Sequence, residues 1–569
     1  MSQTEIKDTR RHDLDAIRSF AMLLGIFLHA GLAYTGGFWI VNDGDVSQIF
    51  AISIPAIHGF RMPLFFLLSG FFTAMLWKKR GAGGLLSHRF KRIFLPLVLI
   101  GSVILPTMWS VTGWATRVQS REIESRVEQY EGERAPSDDI WTVAGFGDMQ
   151  GLLAYGEGSE FLDQQDPIYG VTPLGWTAIH DQPDAARYLL EVGADPSAVY
   201  KDQNTPMHTA CFFGRDEVAK HLLEAGADLE LQSAVGERPA DAMRHNRQTT
   251  EFIANMLQMP IDFDEVSAGR EAIRVMIEER EQVSAASEEV GEEMGLIEKL
   301  QRGTFFGNFF SHLWFLWFLC WFVVGFVVVM GVLSVLPGVR LPGVLISVPL
   351  CFVWLVPLTM VTQSHMQGGG TLPGFGPDTS VGVLPMPHVL LHYAIFFGFG
   401  AAMFLRRGAA RRLGSFWYVT LPVGLLIVPF GLMFAYEPDR SAELIADDST
   451  RAFVNNLLQV LYAWFMTFGL LGLFETLLSR ERAWVRYVSD SSYWLYLAHL
   501  PLVVVGQVLL LDVEVSGLLK GTLLTLVSSV FLLGTYALFV RRTPIGLLLN
   551  GRRVARRAAA TARSTAVAQ

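Results

Sequence analysis

The chain has 569 residues, 51% of them apolar, and a mean hydropathy of +0.34, which is too hydrophobic for an ordinary soluble domain of this length. Its net charge of −9 joins two opposite bodies: residues 114–303 carry 37 Asp and Glu against 16 Lys and Arg, and the rest carries 17 against 29. The basic excess falls between apolar segments, where membrane orientation accounts for it, so it is not read as a nucleic-acid surface.

Ten apolar segments follow in order, at about 14–35, 49–76, 91–113, 305–333, 342–362, 385–405, 413–435, 452–478, 488–511 and 516–540. About 20 apolar residues span a hydrocarbon core, and most of these runs reach that length. Basic clusters fall at every second connection: Lys7/Arg10/Arg11/Arg18, Lys78/Lys79/Arg80/Arg89/Lys91/Arg92, Arg340, Arg406/Arg407/Arg411/Arg412, Arg480/Arg482/Arg486 and Arg541/Arg542 with Arg552/Arg553/Arg556/Arg557. The intervening loops are acidic or uncharged, as in Asp43/Asp45, 363–384, 437–448 and Asp512/Glu514. Lys and Arg stay on the cytoplasmic side, so the pattern predicts a multi-pass protein of the cytoplasmic (inner) membrane with both ends in the cytoplasm. No small-x-small site follows the first apolar run, so that run reads as a span and not as a cleaved signal. The three cysteines, Cys211, Cys320 and Cys351, form no CxxC pair and no disulfide framework.

The predicted organisation is a first membrane block (1–113, three spans), a soluble insert (114–303), a second membrane block (304–550, seven spans) and a basic cytoplasmic tail (551–569). Within the insert, Thr172–Pro173, Thr205–Pro206 and Arg238–Pro239 recur every 33 residues, as do Gly193–Ala194–Asp195 and Gly226–Ala227–Asp228. This is the ankyrin period. Two repeats are clear, a shortened one opens near Trp141 and a degenerate one closes over 238–258, giving an array at about 138–260. Such an array binds a protein partner or serves as a spacer. His208, in the turn of the second clear repeat, is expected to be structural. Residues 262–300 are rich in Glu and are read as a solvated helical connector. Three spans precede the insert and seven follow it, so both counts put it outside the cytoplasmic membrane. The parity depends on the segment near 305–331 crossing fully and not re-entering.

An ionisable residue inside a span is costly and is a functional candidate by default. Arg18 and His29 are eleven residues apart. That is three turns plus about 20°, so they share a face, roughly 16 Å apart along the axis. Arg61 in the second span lies roughly 24 Å above Trp77, and His29 roughly 21 Å above Asp15, so the two face each other at one depth. They either act in chemistry or tie helices together. Arg89 and Arg92 share a helix face at the start of the third span. Forked guanidinium groups suit phosphate oxygens, although anchoring on the cytoplasmic side explains them as well. His312 and His499 either line an acceptor cavity or pack as hydrogen-bonded core residues. The loop GGGTLPGFGPDTSVG (368–382) is a lid, an acceptor platform or, more simply, a flexible linker. No HExxH, Walker or dinucleotide-binding glycine motif occurs, so no metal, ATP or nicotinamide is assigned.

The segments RHDLDAIRSFAMLLGIFLHA (11–30), FRMPLFFLLSGFF (60–72) and RFKRIFLP (89–96) resemble the opening of membrane-bound acyltransferase family 3. HLWFLWFL (312–319) and SDSSYWLYLAHLP (489–501) resemble its later segments, and the combination is similar to the subgroup that includes glucan biosynthesis protein C. The resemblance covers both membrane blocks and omits the insert. Its most specific parts are the Arg-x10-His pair, Arg18 and His29, and the Arg-x2-Arg motif, Arg89 and Arg92. It implies an all-α polytopic bundle of about ten spans carrying an ankyrin solenoid. It also implies an O-acyltransferase that takes an acyl group of acetyl or succinyl type from cytoplasmic acyl-CoA, a co-substrate and not a resident cofactor. The acceptor would be a hydroxyl of an extracytoplasmic carbohydrate such as a glucan. His29 would be catalytic and Arg18, Arg89 and Arg92 would handle the donor. Arg61 is the candidate to orient the acceptor or to steady the acyl oxygen. The rival functions are export of a glycan or acyl compound, and a receptor or scaffold acting through the ankyrin repeats.

Overall fold

The computed structural model describes residues 11–550 except 37–38, 131–138, 157–158, 160, 167–168, 201, 235, 258, 260, 286–308, 336–342, 367–373 and 407. Lys7, Arg10, Arg340, Arg407, the connector beyond 285, the first part of the 368–382 loop and the tail from 551 therefore lie outside the described residues. Every regular element among the described residues is helical, and the chain divides into two compact units.

The first unit comprises residues 1–37, 43–111 and 294–569. It opens with α1 (His12–Gly31) and α2 (Gln48–Arg89), then a π-helical turn (Phe90–Phe94) leading into α3 (Leu95–Tyr130). The basic stretch 78–88, expected as a loop, is helical apart from a break at Gly81, whose φ of 66° only glycine adopts at ease. Eight helical stretches among the described residues are long and apolar enough to cross a membrane, and one of them, Gln48–Gln119, has 72 residues, enough for two crossings. The fifth apolar segment is a 14-residue helix, Leu350–Gln363, shorter than predicted from 342–362.

The second unit holds the insert. Its helices pair as α4 (Ile140–Phe146) with α5 (Met149–Leu152), α6 (Pro173–His180) with α7 (Pro183–Glu191), α8 (Pro206–Phe213) with α9 (Asp216–Glu224), and α10 (Pro239–Ala242) with α11 (Arg247–Met256). Proline at the first helical position follows a threonine cap at Thr172 and Thr205, whose side chains accept from Gly175 N–H and His208 N–H. His208 is structural, as expected. Its Nδ1 accepts from Thr205 N–H at 3.2 Å and its Nε2–H donates to Glu237 O at 2.8 Å, which links neighbouring repeats. The solvated connector is corrected over its described part. Phe263–Ala285 forms α12, which packs on the array through the buried side chains of Val266, Ile273 and Ile277. Arg270 is only 7% exposed and donates to Phe212 O, His245 O and Thr250 Oγ1. Carbonyls at the ends of repeat helices need such donors, and a charged run rich in Glu hides them behind one buried arginine.

The first unit continues with α13 (Trp314–Val335), α14 (Leu350–Gln363), α15 (Pro387–Leu405), α16 (Ala409–Gly414), α17 (Trp417–Tyr436), α18 (Pro438–Leu444), α19 (Asp448–Leu478), α20 (Ala483–Leu509), α21 (Gly517–Thr535) and α22 (Pro544–Asn550). Side-chain pairs give the helix directions. Phe66 meets Phe318 and Trp77 meets Phe326, so α13 runs parallel to α2 over this stretch. Phe66–Tyr393 and Phe71–Phe404 make α15 parallel to α2 as well. Gly31 against Phe50 and Gly25 against Arg61 make α1 antiparallel to α2. Trp494–Thr535 and Gly506–Leu524 make α20 and α21 antiparallel. A buried ion pair, Lys520 Nζ to Asp43 Oδ2 at 2.7 Å, fastens the loop after α1 to α21.

The tightest crossing is α2 on α15. A Cβ on Gly70 would stand 1.8 Å from Phe397 O, and one on Gly400 would stand 1.9 Å from Leu67 O. In a bilayer, helices gain little from hydrophobic burial against each other, so close backbone approach through small residues carries the packing. Gly400→Val should therefore separate the two helices, at a cost of about 1–3 kcal/mol or more. The check is the thermal midpoint of the detergent-solubilised protein, which should fall clearly below that of wild type. An unchanged midpoint would show that this crossing does not limit stability.

Candidate active site

Helix α1 presents Arg18 and His29 to one partner, α20. The Arg18 guanidinium donates to Ser489 Oγ at 2.7 Å and Ser489 O at 3.0 Å, and lies 3.9 Å from Asp15. Three turns on, the His29 ring lies 5.1 Å from His499, centroid to centroid. Gln507 Nε2 donates to His29 O at 2.8 Å and so fixes the end of α1 on α20. The shared face expected from the eleven-residue spacing is thus the α20 face, and the two helices run parallel.

His499 stands between two other histidines, His29 on one side and His312 at 5.4 Å on the other. His312 sits in the short 3-10 turn Ser311–Leu313 ahead of α13. Hydrogen bonds fix both tautomers. His499 Nδ1–H donates to Tyr496 O at 2.8 Å, and His312 Nε2–H donates to Leu497 O at 3.2 Å. Each neutral ring then carries a lone pair on its other nitrogen. Those nitrogens, His499 Nε2 and His312 Nδ1, are buried and have no hydrogen-bond partner among the described residues. Tyr496 O–H donates to His312 O at 2.5 Å and completes the group.

Arg61 reaches α1 at Gly25, one turn before His29. A Cβ on Gly25 would lie 2.1 Å from an Arg61 guanidinium nitrogen, so a larger residue there would push the end of the Arg61 side chain aside. The Arg61 Nε is buried and without a partner, and no carboxylate pairs with the side chain among the described residues. His58, one turn from Arg61 on α2, is held by Pro377 O at 3.0 Å. The described part of the loop over this end is not a flexible linker. Phe375 is 1% exposed, and the Gln459 carboxamide accepts from Gly376 N–H and donates to Gly374 O, both at 2.8 Å.

On the other side of the histidines lies a cavity of about 1910 Å³. Phe65, Leu68, Phe315 and Leu316 form its apolar part, Tyr493 and Tyr496 lie next to them, and Arg18 and Arg89 face it. Arg89 donates to Thr73 Oγ1 at 3.1 Å, and its Nε has no partner among the described residues. Arg92 also lines the cavity, but its guanidinium donates to Leu547 O at 2.5 Å and Leu548 O at 2.6 Å. Tyr496 lines the cavity and donates to His312 O, so the wall of the arginine-lined cavity abuts the histidine group, whose rings are not themselves part of the lining.

Sequence reasoning missed Gly25, Tyr493, Tyr496, Gln459 and the wall supplied by α22. Gly25 and Tyr496 each lie about one turn from a candidate histidine, which was a usable signal. The pairing of Arg92 with α22 had none.

Arg61 is half-buried, with its Nε wholly so, and a cation withdrawn from water without a counter-charge costs more than a neutral polar group, for which the penalty is roughly 1–3 kcal/mol. Arg61→Met should therefore raise the thermal midpoint of the purified protein. A fall in the midpoint would show that Arg61 acts as a structural tie between helices.

With this geometry in view, comparison with known proteins gives the following. The acyltransferase domain of family 3 matches residues 11–121 and 275–538, more than half of the chain, and ankyrin repeats in three copies match residues 143–233. Glucans biosynthesis protein C of Escherichia coli (strain SMS-3-5 / SECEC) is 37% identical over 89 residues, which is 16% of this chain and 23% of that protein. The proteins of the same name from Escherichia coli O1:K1 / APEC and strain K12 / DH10B are 36% identical over 89 residues, with the same coverage. The matched stretch thus spans under a quarter of the length of these curated relatives. The chain belongs to acyltransferase family 3, with an ankyrin-repeat array inserted between the two parts of its membrane domain.

Proposed function

We propose that the protein is an integral-membrane O-acyltransferase. It moves an acyl group, of acetyl or succinyl type, from cytoplasmic acyl-CoA to a hydroxyl of an extracytoplasmic carbohydrate such as a glucan. The observation that carries this reading is the closeness of two groups, an arginine-lined cavity at Arg18 and Arg89 and the cluster of His29, His499 and Arg61, with Tyr496 in contact with both the cavity and His312. The cavity exceeds the roughly 300–1,000 Å³ usual for drug-sized ligands, in keeping with a donor that has a phosphate-bearing head and a long arm. Its basic end suits phosphate oxygens and its apolar middle suits a neutral arm.

Acyl transfer from a thioester to an alcohol forms a C–O bond and breaks a C–S bond. One proton leaves the hydroxyl and one reaches the departing thiolate. His29 is the group proposed to carry it, as general base. The unshared nitrogens of His499 and His312 would accept hydrogen bonds from acceptor hydroxyls. Arg61 would stabilise the negative charge that develops on the acyl oxygen, and a preformed cation in a dry site does this well. His29→Ala should lower acyl transfer by roughly 10²–10⁴-fold, measured with labelled acyl-CoA and the purified protein, while coenzyme A binding is retained. Near-normal transfer by this variant would remove His29 from the chemistry.

The same reading places the protein in the cytoplasmic membrane with the ankyrin array outside. Cys211 cannot report this, because it is 0% exposed. The exposed Glu224 and Lys79 serve instead. With Cys320 and Cys351 replaced, a membrane-impermeant thiol reagent should label Glu224→Cys in intact cells, after outer-membrane permeabilisation where there is one. It should label Lys79→Cys only after lysis. The reverse pattern would invert the topology.

A further inference from the structure

The Arg-x2-Arg pair does not act as a unit. Arg89 faces the cavity, whereas Arg92 donates to Leu547 O and Leu548 O near the end of α22. The last carbonyls of a helix have no partner within it, so Arg92 caps α22. Two further bonds fold this segment in place: Asn550 Nδ2 donates to Asp490 O at 2.8 Å and to the Tyr536 hydroxyl at 3.0 Å. A π-helical turn, Tyr536–Val540, redirects the chain after α21, and the turn that follows carries Arg541 and Arg542 into the lining of the cavity.

The remaining cations of the cavity differ in what they are free to do. Arg486 is paired with Glu481 at 2.7 Å. Arg541 lies over the Tyr487 ring, 5.7 Å from its centroid, a contact that leaves its N–H donors in the ring plane available. Arg542 is exposed, with no ion pair among the described residues.

We propose that Arg92 is a positioning residue, and that Arg541 and Arg542, on the segment it pins, form a second phosphate-binding wall of the donor cavity beside Arg18 and Arg89. This rests on the acyl-CoA reading above. The donor class it selects carries phosphates at its head, so two basic walls on separate elements would hold that head while the neutral arm reaches Tyr496. Arg92 contributes to affinity only through α22.

The test uses the full-length protein in detergent and coenzyme A as the probe. Replacing Arg541→Gln and Arg542→Gln together should weaken coenzyme A binding by roughly tenfold or more, with pantetheine binding unchanged. Arg92→Ala should weaken it too, and should also speed hydrogen–deuterium exchange over 544–550 in the ligand-free protein. Arg92→Lys should restore much of both. Added to the Arg541/Arg542 double variant, Arg92→Ala should cause little further loss, because the wall it positions is already disarmed. Weakened binding by Arg92→Ala with unchanged exchange would overturn the positioning role. Full affinity in the Arg541/Arg542 variant would overturn the second wall. A wild-type protein that binds no coenzyme A, yet shows the Arg92-dependent exchange, would instead refute the donor reading and leave the helix cap intact.

Discussion

The guanidinium of Arg61 lies against α1 at Gly25, among helices long and apolar enough to cross a membrane, with no carboxylate paired to it among the described residues. Much of the surrounding structure follows from accommodating it. Glycine at position 25 lets the end of the Arg61 side chain sit where a Cβ would otherwise stand. That contact places the charge one turn from His29, whose ring meets His499, whose ring meets His312. A stable bundle alone would not favour an unpaired, half-buried cation, since an apolar side chain of similar size is cheaper. Under the proposed function, negative charge that arrives with a substrate or develops during reaction would account for it.

The two ends of the site are organised by different physics. Towards the basic end, positive charge on several elements surrounds an open cavity; Arg18 and Arg89 are held by the neutral acceptors Ser489 and Thr73, with Asp15 3.9 Å from Arg18, while Arg486 is paired with Glu481. Neutral acceptors orient a guanidinium without cancelling its charge. Towards the other end, His499 and His312 have fixed tautomers and unshared nitrogens, and the loop at 374–377 is held by the Gln459 carboxamide and by His58. One end suits an anionic head and the other suits a neutral hydroxyl compound. Helix α20 joins them, contacting Arg18 through Ser489 and His29 through His499.

Periodic features were the legible part of the sequence. The ankyrin units and the common face of Arg18 and His29 follow from repeats of 33 and 3.6 residues, which one chain displays by itself. The structural role of His208 was legible because its partners lie within its own and the next repeat. Features that depend on distant partners were not. Glu278 and its neighbours suggested a solvated connector, yet α12 is seated by Arg270 and Ile273, whose partners lie up to 58 residues away. Arg92 and Leu547 are 455 residues apart, and no local pattern announces their bond. The glycines of the 368–382 loop suggested freedom, but Gly376, at φ 113°, permits a close approach to His58 and Gly59.

The central claim is that one site receives its donor from the arginine side and its acceptor from the histidine side of the membrane. Proteoliposomes test it most directly. The protein is reconstituted with its orientation fixed by thiol labelling, a glucan is enclosed on the side of the 374–382 loop, and labelled acyl-CoA is supplied on the side of Arg89. The account predicts acylated glucan in this arrangement and none when the two compounds are exchanged. Product that forms only when donor and acceptor share a compartment would contradict it.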